Sequence, residues 1–314
     1  MILIALGLWC KELPVKFEDK ILENLIRTKL DNAQFDIYPS DLKKIHRLVH
    51  KQKLNIRNLS EKDCIKSLVG ISYCSNMKYL DLPNNQIRDL TPLSYIKELR
   101  FLYLKNNYIK NISVLKFLVN LRELDLTSNQ ISDISPLKKL TQLRTLSLGN
   151  NLIRDLTPLK KLLNLFALSL QSNRLRSISG IEKLMDINCL LLFDNQIRDI
   201  KPLSKLVNLT YLSLQHNLIS DISTIKNLTK LRFLDLEKNR VEIIKPLILI
   251  IEINKLLLAG NKIRNIKPLL KNTGLGKDDF LTLPKLLFAD IEQKFIVKKL
   301  KKKGVKIKTS LLWK

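Results

Sequence analysis

Three histidines and four cysteines are the side chains through which this chain could most readily hold a metal or attack a substrate, and their spacing supports neither. His46 and His50 stand four residues apart, which on a helix would put two imidazoles on one face. A metal site needs a third ligand, and none lies nearby, so solvated surface histidines are the reading adopted. Cys10, Cys64, Cys74 and Cys189 form no C-x-x-C pair. They read as free thiols of a reducing compartment rather than a disulfide framework. The chain has no G-x-x-x-x-G-K-[ST] loop and no G-x-S-x-G elbow. Cys189 falls on an outward strand position, but no base occupies the matching positions of its neighbours. No catalytic residue, metal or cofactor is assigned, and a non-enzymatic protein is expected.

The regular chemistry in this sequence is that of amides. Asn85, Asn107, Asn129, Asn151, Asn173, Asn195, Asn217, Asn239 and Asn261 follow one another at a constant interval. Around each runs the frame L-x-x-L-x-L-x-x-N-x-I, intact at Leu121, Leu124, Leu126, Asn129 and Ile131. A fixed period of about 20–50 residues marks a solenoid of stacked units. A side-chain amide carries both a donor and an acceptor, and buried turns need both. The column is therefore assigned to the scaffold, where it would bond the turns of its own and adjacent repeats.

This frame resembles the leucine-rich repeat in its internalin-like bacterial form, with a repeat of about 22 residues. The resemblance implies an α/β solenoid: a horseshoe with a parallel concave β-sheet and short 3₁₀ or helical turns on the convex side. It also implies a helical N-terminal cap and a C-terminal cap of one helix and one strand. Repeats begin at Met77, Leu99, Leu121, Leu143, Leu165, Ile187, Leu209, Leu231 and Ile253, and fill residues 77–270. Counting from these starts, positions 4 and 6 are apolar between polar neighbours, as in Leu124-Asp125-Leu126, so each repeat supplies one short strand. Ser or Thr at position 15 followed by Pro at 16, as in Thr91-Pro92 and Ser135-Pro136, suits a capped convex turn.

Residues 1–76 and 271–314 flank the array. An amphipathic helix is expected over about 17–30, from Phe17, Ile21, Leu22, Leu25, Ile26 and Leu30. A second helix is expected after Ser40 and Asp41, carrying Leu42, Ile45, Leu48 and Val49. Ile65 through Met77 matches the second half of a repeat, with Asp63 where the asparagine would stand. The run Met1–Cys10 is apolar but lacks a basic leader and a small-x-small cleavage site. A cytoplasmic protein is expected on that basis. A shortened secretion signal is the alternative, and with it an internalin-like surface adhesin. After Asn272-Thr273-Gly274-Leu275-Gly276 a helix is expected with Leu287, Ile291, Phe295, Ile296 and Leu300 on one face and Gly304 as its stop, followed by a strand through Val305 and Ile307.

Positions 3, 5 and 7 of each strand should face the concave side, the usual contact surface of curved solenoids. They hold Tyr79, Asp81, Phe101, Tyr103, Glu123, Asp125, Phe193, Tyr211, Phe233, Asp235 and Glu237. Lys105 and Lys255 are the basic residues there. The floor is acidic and aromatic although the chain carries a net charge of +26. Exposed rings with a few carboxylates suit a protein partner, one with a basic or amphipathic surface, bound by a monomer. Arginine at position 12, often beside aspartate at 13 (Arg88-Asp89, Arg154-Asp155, Arg198-Asp199), reads as a row of inter-repeat ion pairs. The strongest anion-binding candidate is the lysine cluster Lys294, Lys298, Lys299, Lys301, Lys302, Lys303, Lys306 and Lys308, which makes nucleic acid or an acidic membrane the alternative partner.

Overall fold

In each repeat the central leucine of a three-residue strand points inward, and stacking these leucines dictates the architecture. A computed structural model describes residues 12–50 and 63–309. Its strands are β1 (Arg47–Val49), β2 (Tyr79–Asp81), β3 (Phe101–Tyr103), β4 (Glu123–Asp125), β5 (Thr145–Ser147) and β6 (Ala167–Ser169), then β7 (Cys189–Leu191), β8 (Tyr211–Ser213), β9 (Phe233–Asp235), β10 (Lys255–Leu257), β11 (Phe280–Leu283) and β12 (Lys306–Thr309). They form one parallel sheet in strict sequence order. Leu80, Leu102, Leu124 and Leu146 pair in register and are buried, and the column continues to Leu256 and Leu281. At ~4.8 Å per strand the sheet runs roughly 50 Å along its axis. It is a horseshoe solenoid of twelve strands. The repeats supply nine, and the caps add β1, β11 and β12.

After each strand the chain turns sharply. Position 8 is left-handed in every repeat: Asn84, Asn106, Ser128, Asn150, Ser172, Asp194, His216 and Lys238 have φ of 52–58°, and Gly260 has φ 71°. Glycine, asparagine, aspartate and histidine visit this region more readily than other residues, and lysine does so at a cost. The buried asparagine follows. Asn107 Nδ2 donates to the carbonyls of Leu104 (3.0 Å) and of Leu82 in the preceding repeat (3.1 Å), and its Oδ1 accepts the Ile87 N–H at 3.0 Å. The same three bonds recur down to Asn261, which serves Leu258, Leu236 and Val241.

Short 3₁₀ turns lie on the convex side in seven repeats, from Thr91–Tyr95 to Lys245–Leu249. Their cap is not the position-15 hydroxyl. Position 13 accepts the N–H of position 15 instead: Asp89, Asn111, Asp133, Asp155, Ser177, Asp199, Asp221 and Asn265 do so at 2.8–3.1 Å. The aspartates at 13 are therefore turn residues. Among the described residues none of them forms an ion pair with the neighbouring arginine, which corrects the inter-repeat pairing read from the sequence. An Asx turn is local and costs little entropy, whereas holding two long exposed side chains together gains little. The repeat 165–186 has no 3₁₀ turn. Gly180 replaces its proline at φ 108°, and a Cβ there would lie 2.5 Å from the Leu156 carbonyl oxygen.

Helix α1 (Lys20–Leu30) is capped by Asp19, whose Oδ1 accepts the N–H groups of Ile21 and Leu22. Its Oδ2 accepts those of Lys66 and Ser67 at 2.6 and 3.3 Å, tying the helix to the array. The second N-terminal helix is a single turn, α2 (Pro39–Leu42), and Leu48 and Val49 belong to β1. Pairing with β2 satisfies the backbone there, so tertiary context overrides a helical-looking spacing. At the other end a short α3 (Lys267–Lys271) is followed by fully buried Asn272, whose Oδ1 accepts the N–H groups of Gly274 and Leu275. Helix α4 (Ile291–Lys302) buries Gln293, Ile296, Val297 and Leu300, while Ile291 is 83% and Phe295 56% exposed. The expected apolar face was therefore off by part of a turn. Gln293 explains it, because its Oε1 must face inward to accept the Ile266 N–H at 2.9 Å.

Candidate functional site: the concave face

Outward residues alternate with the buried leucines, so strand register decides which side chains share the floor. One row reads Arg47, Tyr79, Phe101, Glu123, Thr145, Ala167, Cys189, Tyr211, Phe233, Lys255, Phe280 and Lys306. A parallel row carries Asp81, Tyr103, Asp125, Ser147, Ser169, Leu191, Ser213, Asp235, Leu257, Thr282 and Lys308 by the same pairing. The rings gather at two places. Near the N-terminal end Tyr79 lies 5.9 Å from Phe101 and 5.4 Å from Tyr103 between centroids, and the Arg47 guanidinium covers Tyr79 at 3.7 Å. Toward the C-terminal end Tyr211 and Phe233 stack at 4.1 Å. Lys255 reaches over Phe233 and Phe280, and Lys308 over Phe280. Between the clusters lie the small residues Thr145, Ser147, Gly149, Ala167 and Ser169, interspersed with Glu123, Asp125, Gln171, Cys189 and Leu191. By strand spacing the two clusters stand roughly 24 Å apart. Among the described residues Phe193, on the turn side of β7, stacks on no other ring and belongs to neither cluster.

The carboxylates are held by the floor itself. Glu123 accepts the Tyr103 hydroxyl at 2.6 Å, Asp81 accepts that of Tyr79 at 3.4 Å, and Glu237 accepts that of Thr282 at 2.5 Å. Asp125 and Asp235 accept the N–H groups of Thr127 and Glu237. Burial raises the Asp81 carboxyl, and it pushes Asp235, only 6% exposed, up to about 6 with help from the Glu237 charge. Burial likewise raises Tyr103, reinforced by its bond to Glu123. These groups orient rings and fix rotamers. Arg47, Phe280, Thr282 and Lys308 were not read as floor residues from the sequence, because they sit on cap strands outside the repeat period. A hollow of about 670 Å³ borders the middle of the floor at the strand entrances, lined by Glu123, Arg144, Phe166, Asp186, Asn188 and Lys230 among others.

The lysine-rich end is split by its contacts. Lys306 pairs with Asp278 at 2.8 Å, Lys308 covers Phe280, and Lys303 donates to the Leu270 carbonyl at 3.4 Å. Lys294, Lys298, Lys299, Lys301 and Lys302 remain exposed on α4. Among the described residues no helix is long and apolar enough to cross a membrane, and no group of three His, Cys, Asp or Glu side chains is placed to hold a metal. His46 and His50 flank β1 and share no helix; the His46 ring nitrogen lies 3.1 Å from the Asn76 carbonyl oxygen.

Comparison with known proteins places this architecture. A family model described as Leucine Rich repeats (2 copies) matches residues 75–117, 97–139, 119–161, 187–227 and 207–249. The unmatched stretch between 161 and 187 holds the Gly180 turn. No curated protein matches the chain in sequence. Among solved structures, internalin C2 from Listeria monocytogenes is 34% identical, with 69% of this chain and 93% of that one covered and a TM-score of 0.64. The internalin inlF from the same organism is 28% identical over 96% of this chain and 99% of that one, with a TM-score of 0.61. The functional domain of InlJ, at 19% identity and a TM-score of 0.65 over 85% and 60% of the two chains, shares the fold.

Proposed function

The chain belongs to the internalin-like leucine-rich repeat family, and on that premise we propose that it is a non-enzymatic protein that grips a partner protein across its concave face. Leucine-rich repeat proteins generally mediate protein–protein interaction. The observation that carries the concave assignment is the pair of aromatic clusters, Tyr79–Phe101–Tyr103 and Tyr211–Phe233, on one continuous sheet face. Preordered rings bury area at little entropic cost and make interface anchors. The partner should bring apolar or cationic groups to the rings at each end.

The test is affinity capture from native lysate with the wild type and with a Tyr103→Ala, Tyr211→Ala, Phe233→Ala variant. The partner should be lost from the variant while its unfolding transition survives. Equal capture by a folded variant overturns the concave assignment. An anion-binding role for α4 is the competing proposal, supported by its five exposed lysines. Because β12 covers the sheet edge, trimming the tail would disturb the fold. Lys298, Lys299, Lys301 and Lys302 changed to Gln is the cleaner variant, read by salt-dependent binding to DNA and to anionic vesicles.

A further inference from the structure

The convex side breaks its own rule once. Eight of nine repeats place a hydrogen-bonding side chain at position 13 to hold the turn that follows. In the repeat 231–252 this position is Ile243, which has no acceptor to offer the Lys245 N–H and is 73% exposed. Two further exchanges accompany it. Ile248 and Leu249 stand where the repeats at 121 and 143 carry Lys138-Lys139 and Lys160-Lys161, and Leu249 is 52% exposed. A lost cap and exposed aliphatic side chains at Ile243 and Leu249 raise the cost of the surface. Such local violations are expected at functional or strained sites.

The three residues converge. Ile243, Pro246, Ile248 and Leu249 form one wall of a groove of about 780 Å³, and the preceding repeat supplies the other wall through Ile222 and Ser223. That volume is within the usual range of small-ligand sites, ~300–1,000 Å³. Lys226, Arg240 and Lys245 line the same groove, and among the described residues none of them is in an ion pair. The two acids there are Asp221, whose oxygens are engaged by the N–H and hydroxyl of Ser223, and Glu242, so three cations face two carboxylates and the lining keeps a small cationic excess. Both walls come from adjacent repeats, so the groove follows the seam between them.

We propose that this groove binds a free fatty carboxylate, with its alkyl chain along Ile243, Ile248 and Leu249 and its head group at Lys226, Arg240 and Lys245. The aliphatic wall supplies affinity through apolar burial, and the three cations select the sign of the head group. The site lies on the face opposite the concave floor, so its occupancy and partner capture are measured separately.

The experiment is calorimetric titration of the full chain with dodecanoate below its micelle-forming concentration. A single saturable site is expected. Ile243→Asp restores the cap of the other repeats, so it should unfold no earlier than wild type. It should weaken dodecanoate binding at least about tenfold by setting a carboxylate against the ligand. Replacing Lys226, Arg240 and Lys245 by Gln should weaken dodecanoate in the same way. Dodecyltrimethylammonium should not bind wild type. Equal binding by Ile243→Asp, equal binding of the cationic amphiphile, or no saturation with dodecanoate overturns the proposal. So does binding confined to phosphatidylglycerol vesicles, which would make the patch a membrane contact.

Discussion

The side-chain oxygen of Asn151 accepts the backbone N–H of Ile131, twenty residues earlier, at 2.9 Å, while its amide donates to the Leu126 and Leu148 carbonyls at 3.0 and 3.1 Å. One buried side chain thus closes two successive turns that water does not reach. Asn151→Ala leaves the Ile131 N–H and both carbonyls without it, and should destabilise the array by ~1–3 kcal/mol in denaturant unfolding. Asn151→Asp keeps the acceptor and loses the donors, so it should not rescue. A neutral alanine variant would mean that the turn is hydrated.

Lys238 occupies the left-handed position of its turn at φ 52°, where the repeats at 77 and 99 use Asn84 and Asn106. A residue other than glycine costs ~1–2 kcal/mol in this region, and asparagine visits it more readily than lysine. Lys238→Asn should raise stability by up to about 1 kcal/mol, a shift of a degree or two in melting temperature for a chain of this size. A lower melting temperature would show that the Lys238 side chain holds something that asparagine does not.

Asp235 is raised to about 6 by burial, with Glu237 adding to the shift and Lys255 opposing it. Its folded value lies above its unfolded one. The protonated form is therefore favoured by folding, and this contribution is complete at low pH and lost as pH rises through about 6. Relative to Asp235→Asn, the wild type should lose ~1–3 kcal/mol between pH 4 and pH 7.5. Parallel stability curves for the two proteins across that range would show the carboxyl to be ionised throughout.

Asp19 is predicted to matter more than an ordinary helix cap. One of its oxygens caps α1 and the other holds the Lys66 and Ser67 amides. Asp19→Ala should cost ~1–3 kcal/mol, the sum of a lost cap and two part-buried donors left without their acceptor. Hydrogen exchange should accelerate first in α1 and around Lys66. Faster exchange spread evenly over the array would point to global destabilisation instead.

Periodicity carried much of this molecule in the open. Because each repeat packs only on its neighbours, the pattern Leu124-Asp125-Leu126 repeated at a fixed interval settles which side chains go inward, which strand pairs with which, and that Tyr211 and Phe233 must be neighbours. The sequence by itself determined those relationships, since one local rule applied nine times admits one register. The tertiary structure alone decided what happens once. Leu48 and Val49 become a strand because β2 offers a partner, Gln293 turns α4 because Ile266 needs an acceptor, and Arg47, Phe280 and Lys308 join the floor through cap strands that carry no repeat. It also showed that the position-13 aspartates hold turns rather than arginines, and so made Ile243 visible as the exception. Apart from those local turns, these contacts link residues far apart in the chain, and no local spacing encodes them.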